Sequence, residues 1–181
     1  MSSRLIAGLM LGTSVVLSAC AASDPDPPTA TFAPNPDTVF VQSMVAYHDH
    51  NLIILTLADA QADDAEVRTL AAQTAGLQRL QRTTMVTLLA GWPQPTTAPT
   101  SADDDHLTIL EKLRGAAFDR ALVATMISHN DDAIRFARQA LTAPLSPQTH
   151  GIAVSVDAGL SAENAALRLL LSRLDTQKAR P

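Results

Sequence analysis

With a single cysteine, seven glycines and only 3% aromatic residues among 181, this sequence lacks the means for several common architectures. Lone Cys20 cannot close a disulfide within the chain, so no covalent staple supports the fold. Few glycines and aromatics within a 46% hydrophobic composition leave Ala, Leu, Val and Ile to build the core. That mixture favours helices packed closely through small side chains. The net charge is −5 and no basic run occurs, which argues against nucleic acid as a partner. Catalytic signatures are missing as well. There is no Gly-x-Ser-x-Gly, no glycine-rich phosphate loop and no cysteine placed as a nucleophile. The glutamates are Glu66, Glu111 and Glu163, and none has histidine at the third position after it, as a di-iron bundle would need. The run Asp103 to Asp105 lacks the spaced ligands of a calcium loop. No enzymatic activity is expected.

The first apolar run belongs to targeting rather than to the fold. Arg4 supplies a positive start, and Leu5 to Val16 is too short to span a bilayer stably. It ends in Leu17-Ser18-Ala19-Cys20, which resembles the lipobox of bacterial lipoproteins. Residues 1–19 therefore read as a lipoprotein signal peptide, and Cys20 as the lipidated first residue of an exported protein. Several acyl chains on Cys20 would hold it to the lipid bilayer, which one chain could not do stably. Residues 20–36 follow as a spacer containing five prolines.

Beyond the spacer, apolar residues recur with a helical period. The pattern predicts helices over about 37–60, 64–91, 116–142 and 147–175, with a short crossover helix over about 104–114. Asp63 and Glu66 read as a capping box opening the second helix. Shifting the chain by 82 residues pairs Asp37 with Asp119, Met44 with Met126, Asp49 with Asp131 and Ala71 with Ala153 without a gap. Each repeat, about 37–92 and about 116–175, is then one helical hairpin, and the two must pack together to bury their stripes. The expected fold is all-α: a four-helix bundle over 37–175, made of two duplicated hairpins joined by a long crossover.

The region beyond the signal holds three methionines, Met44, Met85 and Met126. Met44 and His48 are four residues apart, and Met126 and His129 three, so each pair shares a helix face. His48 and His50 are two apart and point apart, with His50 facing outward or toward a neighbouring helix. His106 and His150 lie near helix ends. A stripe of Leu70, Thr74, Leu77, Gln81, Met85 and Leu88 places Gln81 in the core, within reach of His48. The matching stripe of the fourth helix, Ile152, Val156, Gly159, Glu163, Leu167 and Leu170, turns a carboxylate inward, where it needs a partner.

The segments "FVQSMVAYHDHNLI", "LQRLQRTTMVTLLAGW" and "GAAFDRALVATMISHNDDAIRFA" resemble the domain-of-unknown-function 305 family, whose motif carries Phe-x3-Met, a His-His pair and a later methionine. The resemblance implies a ferritin-like bundle, export and, for some members, copper binding. Its His-His pair corresponds to Tyr47-His48 and His129-Asn130, so each half keeps one imidazole. Carried over, the metal set is Met44, His48, Met85, Met126 and His129, supported by Gln81 and Glu163. Thioether with imidazole suits Cu(I), and a copper ion is the one cofactor or cargo implied. Two readings follow: a surface-anchored lipoprotein that handles a soft metal weakly, or a structural or interaction lipoprotein whose metal site has been lost. Under the first, Glu163 is expected to hydrogen-bond His129 and fix its tautomer.

The anchor is tested by Cys20→Ser. The variant should leave the membrane fraction or accumulate as uncleaved precursor, and labelled lipid should enter only the parent chain.

Overall fold

The computed structural model describes residues 35–92 and 105–178. The signal segment, Cys20 and nearly all of the spacer lie outside the described residues, as does the stretch 93–104. Among the described residues five helices run in order: α1 (Pro36–Gln61), α2 (Ala65–Ala90), α3 (Asp105–Lys112), α4 (Gly115–Ala140) and α5 (Pro147–Lys178). The structure bears out the all-α four-helix bundle. None of the described helices is long and apolar enough to cross a membrane.

Helix boundaries follow from local chemistry. Asn35 caps α1 by accepting from the Asp37 amide, with Pro36 in the first turn, where its missing N–H costs nothing. The cap of α2 is Asp64, which accepts from the amides of Glu66 and Val67. This corrects the expected capping box by one residue. Asp63 lies one residue before the cap, and its amide donates to Asp119. Gly115 opens α4 with φ at 61°, a conformation a Cβ would strain.

α1 packs on α2, α4 on α5, and the two hairpins meet through α1 and α4, with α3 resting on both. α2 and α5 meet largely through side chains, including a two-pronged ion pair from Arg173 to Asp64 at 2.8 and 3.0 Å. The hairpins also cap each other. Buried Asp119 of α4 accepts from the amides of Asp63 and Asp64 at 3.1 and 3.0 Å, at the start of α2. Asp37 of α1 accepts from the amide and hydroxyl of Ser146, both at 2.9 Å, at the start of α5. Each carboxylate sits at the positive end of the other hairpin's second helix. Burial raises the Asp37 pKa, but the bonds from Thr149 and Ser146 outweigh it and leave that carboxyl below its ordinary value.

Two apolar clusters form the core. One includes Ile54, Phe118, Leu122, Met126 and Leu167. The other includes Phe40, Met44, Met85, Leu89 and Val156, with Phe136 stacked on Phe40 at 5.7 Å. On all four long helices the residues between these clusters are polar and buried: His48 and Asn51, Thr74 and Gln78, Asn130, and Asn164. A polar belt therefore crosses the bundle at mid-height.

Asp119→Ala should cost about 2 kcal/mol, since it strands two helix-start amides and removes a charge from a helix N-terminus. Urea unfolding should show a lower midpoint at unchanged slope. An unaltered midpoint would mean that the reciprocal cap contributes nothing.

Candidate functional site

Where the belt reaches the surface between α2 and α5, it opens into a groove of about 250 Å³. Met44 and His48 reach it from α1, Gln78 and Gln81 from α2, and Leu160 and Glu163 from α5. The groove continues past Met85, Ile152 and Val156. Met44, His48 and Met85 thus border one open channel, although all three are at least 97% buried (exposure 1%, 1% and 3%).

His48 is the unusual group. Among the described residues, neither ring nitrogen has a hydrogen-bond partner. Burial pushes its pKa down to about 4, with Gln78 and Asp49 opposing that shift, so the imidazole is neutral at physiological pH. Gln78 is close enough to act on the ring, yet its own Oε1 is also buried without a partner, and no bond of regular geometry joins the two. The Tyr47 ring meets His48 edge-on at 5.3 Å. A neutral imidazole beside a thioether, with lone pair uncommitted, is the form in which histidine binds a metal.

Two expected placements are corrected here. Gln81 is exposed at the groove's rim, and Gln78 takes the core position. The buried stripe of α2 runs through Val67, Ala71, Thr74, Ala75, Gln78, Met85 and Leu89. Small Ala71 and Ala75 lie on that face, which turns Leu77 and Gln81 toward solvent. Glu163 does not meet His129. Its Oε1 accepts from Thr74 Oγ1 at 3.0 Å across the groove. Burial raises the Glu163 pKa, opposed by Thr74 and Asn130. Successive residues on α4 are about 100° apart, so Asn130 faces α5 while His129 faces away. Asn130 Oδ1 instead accepts from the Tyr47 hydroxyl at 2.5 Å.

Met126 and His129, expected as a second cluster of their own, lie apart from Met44 and Met85. Met126 belongs to the cluster on the other side of the belt. Half-buried His129 turns toward α1 and α3. Its Nδ1 lies 3.1 Å from Asn51 Oδ1, its Nε2 lies 3.3 Å from His106 Nδ1, and the His50 ring centre lies 5.2 Å from its own. His150 is exposed on α5. Among the described residues, no three His, Cys, Asp or Glu side chains are gathered so as to hold a metal ion. Thioethers carry the soft-metal case instead.

Sequence reasoning gave no role to Asn51, Gln78 and Asn164, and it placed Thr74 and Asn130 without their partners Glu163 and Tyr47. Asn164 donates to Asp131 at 2.8 Å and to the Ile127 carbonyl at 3.2 Å, and the signal was available. Asp131 and Asn164 stand 82 residues beyond Asp49 and Arg82, which form an ion pair in the first hairpin.

The model of the family described as Domain of unknown function (DUF305) matches residues 37–171. Among solved structures, a DUF305 protein from Streptomyces coelicolor is similar at TM-score 0.72 and 21% identity, over 77% of this chain and 92% of that one. A DUF305 fragment from Deinococcus radiodurans is similar at TM-score 0.71 and 24% identity, over 78% and 98%. CopM in the Cu(I)-bound form is similar at TM-score 0.67 and 24% identity, over 76% and 96%. No curated protein matches.

The histidine generates a pH prediction. Its folded pKa of about 4 lies below the unfolded value near 6.5, so the native state binds fewer protons between them. Stability from His48 is complete above pH 6.5 and lost as pH falls toward 4. Raised Glu163 acts oppositely, losing stability as pH rises from its unfolded value near 4.3. His48→Leu should flatten the acid-side decline in unfolding free energy, and Glu163→Gln should steepen it. NMR titration should find His48 unprotonated above about pH 5, and protonation near 6.5 would contradict its burial.

Proposed function

The chain belongs to the DUF305 family, and on that footing we propose that this member is an envelope-anchored lipoprotein that binds a soft metal ion, Cu(I), as cargo. One observation carries the reading. His48 is a buried, neutral imidazole whose two ring nitrogens have no hydrogen-bond partner among the described residues, and it lines the same groove as the Met44 thioether. Burying such polar atoms unbonded costs free energy, about 1–3 kcal/mol for each group left unsatisfied. A metal bond at one nitrogen offsets part of that cost. Thioether and imidazole are donors that Cu(I) accepts readily, whereas Zn(II) with so few ligands is held poorly. Met44 and His48 would hold the ion, and Met85 borders the continuation of their groove.

The similar fold of CopM, solved with Cu(I), is consistent with this reading at the level of architecture. Export and anchoring rest on the lipobox-like residues ending at Cys20 and on the proline-rich spacer. On this reading the cation is bound and passed on, a role of binding rather than catalysis.

A second reading, an interaction lipoprotein that has lost its metal site, draws on the other half of the bundle. There, Tyr47 donates to Asn130 where the family motif has a second imidazole. Cu(I) titration of the full chain in detergent, against a competing chelator, separates the two. Met44→Leu and His48→Leu should each weaken Cu(I) binding at least about tenfold. Met126→Leu should leave it unchanged, because Met126 lies in the other apolar cluster. Parent-like affinity in Met44→Leu would favour the interaction reading.

A further inference from the structure

Three histidines that the groove does not use come together on another face of the bundle. His50 is on α1, His106 at the start of α3 and His129 on α4. His106 Nδ1 and His129 Nε2 are 3.3 Å apart. The ring centres of His129 and His106 are 5.3 Å apart, and those of His129 and His50 are 5.2 Å apart.

These separations have a chemical meaning. Two imidazole nitrogens bound to one tetrahedral ion at about 2.05 Å stand about 3.3 Å apart, and their ring centres about 5.2 Å apart. Asn51 adds a second constraint. Its buried Oδ1 lies 3.1 Å from His129 Nδ1 and can only accept, so Nδ1 carries the proton. The lone pair of His129 is therefore on Nε2, facing His106. A carbonyl oxygen holding the remote N–H of a histidine is the outer support that metal-ligating imidazoles ordinarily have.

We propose that His50, His106 and His129 form an all-imidazole site for a divalent transition-metal ion of the zinc class, separate from the thioether groove. His106 and His129, in hydrogen-bond contact as they stand, already have the nitrogen separation of one edge of such a polyhedron. No three such side chains among the described residues are gathered around an ion as they stand, so His50, whose ring lies against that of His129, would have to reorient to supply the third ligand. Solvent completes the fourth position. The three ligands come from three helices, so a bound ion would tie the short α3 to the hairpin-joining face of α1 and α4. Imidazoles without thioethers suit Zn(II), Co(II) and Cu(II) rather than Cu(I). The two sites would thus sort ions by softness.

Co(II) added to the full chain in detergent provides the test, because a tetrahedral three-nitrogen site gives strong visible d–d absorption. The parent should develop those bands and lose them to stoichiometric Zn(II). His50→Gln, His106→Gln and His129→Gln should each weaken Co(II) binding at least about tenfold, and Asn51→Ala by about tenfold through loss of the outer support. Met44→Leu should leave the bands intact, so this site and the groove fail or stand separately. His106 is exposed at a helix start, so its variant tests the site without threatening the fold. Absent bands in the parent would overturn the proposal, as would bands that persist in His106→Gln. Unaltered Co(II) affinity in His50→Gln would refute the three-histidine assignment.

Discussion

A helix start leaves amides that must be bonded somewhere, and in this bundle two of the starts are bonded by the opposite hairpin. Asp119 holds the start of α2 and Asp37 the start of α5. Neither hairpin can slide along the other without stranding a carboxylate and the amides it serves. That constraint sets the relative height of the four long helices, and with it the level at which residues 48, 78, 130 and 163 face one another. The Arg173–Asp64 pair reinforces the same junction, and its guanidinium holds the Asp64 carboxyl below its ordinary pKa.

With heights fixed, the polar belt becomes a place where each half solves the same problem differently. In the second hairpin Asn164 reaches Asp131 and a main-chain carbonyl, while Asn130 receives the Tyr47 hydroxyl. Burial, with the nearby Glu163 charge, raises the Tyr47 pKa and keeps that hydroxyl a donor. In the first hairpin Asp49 pairs with Arg82 near the surface, and His48 below it has no protein partner. Unbonded buried atoms occur in both halves, Asn130 Nδ2 and Asn164 Oδ1 among them, but those that can bind a metal, the imidazole nitrogens of His48, lie under the groove.

Most of the fold was legible because its determinants are local. Pro36, the cap before Glu66, the breaker before Pro147 and the helical spacing of Ala and Leu place every long helix within a few residues of where it lies. Rotation about each axis was harder to read. Gln81 and Gln78 differ by three positions, and either could complete a stripe. The choice depends on how closely Ala71 and Ala75 let α2 approach α1, which is a property of the pair rather than of one helix. For the same reason His129 could be placed on a helix but not aimed. The meeting of His50, His106 and His129 depends on where α3 rests, and no periodicity within α1 or α4 encodes that.

The groove between α2 and α5 has a consequence for speed. Helices that bury a site completely must separate before anything enters, and such collective motions take microseconds to milliseconds. Here Met44 and His48 lie at the floor of a channel whose walls are side chains, with one hydroxyl–carboxylate contact, Thr74 to Glu163, bridging it. Walls made of side chains can open by side-chain rotation, which is orders of magnitude faster. Were Met44 and His48 to hold an ion as proposed, a donor group on another molecule could enter before they released it. Exchange would then proceed hand to hand, through a shared intermediate, and the cation need never be released into water.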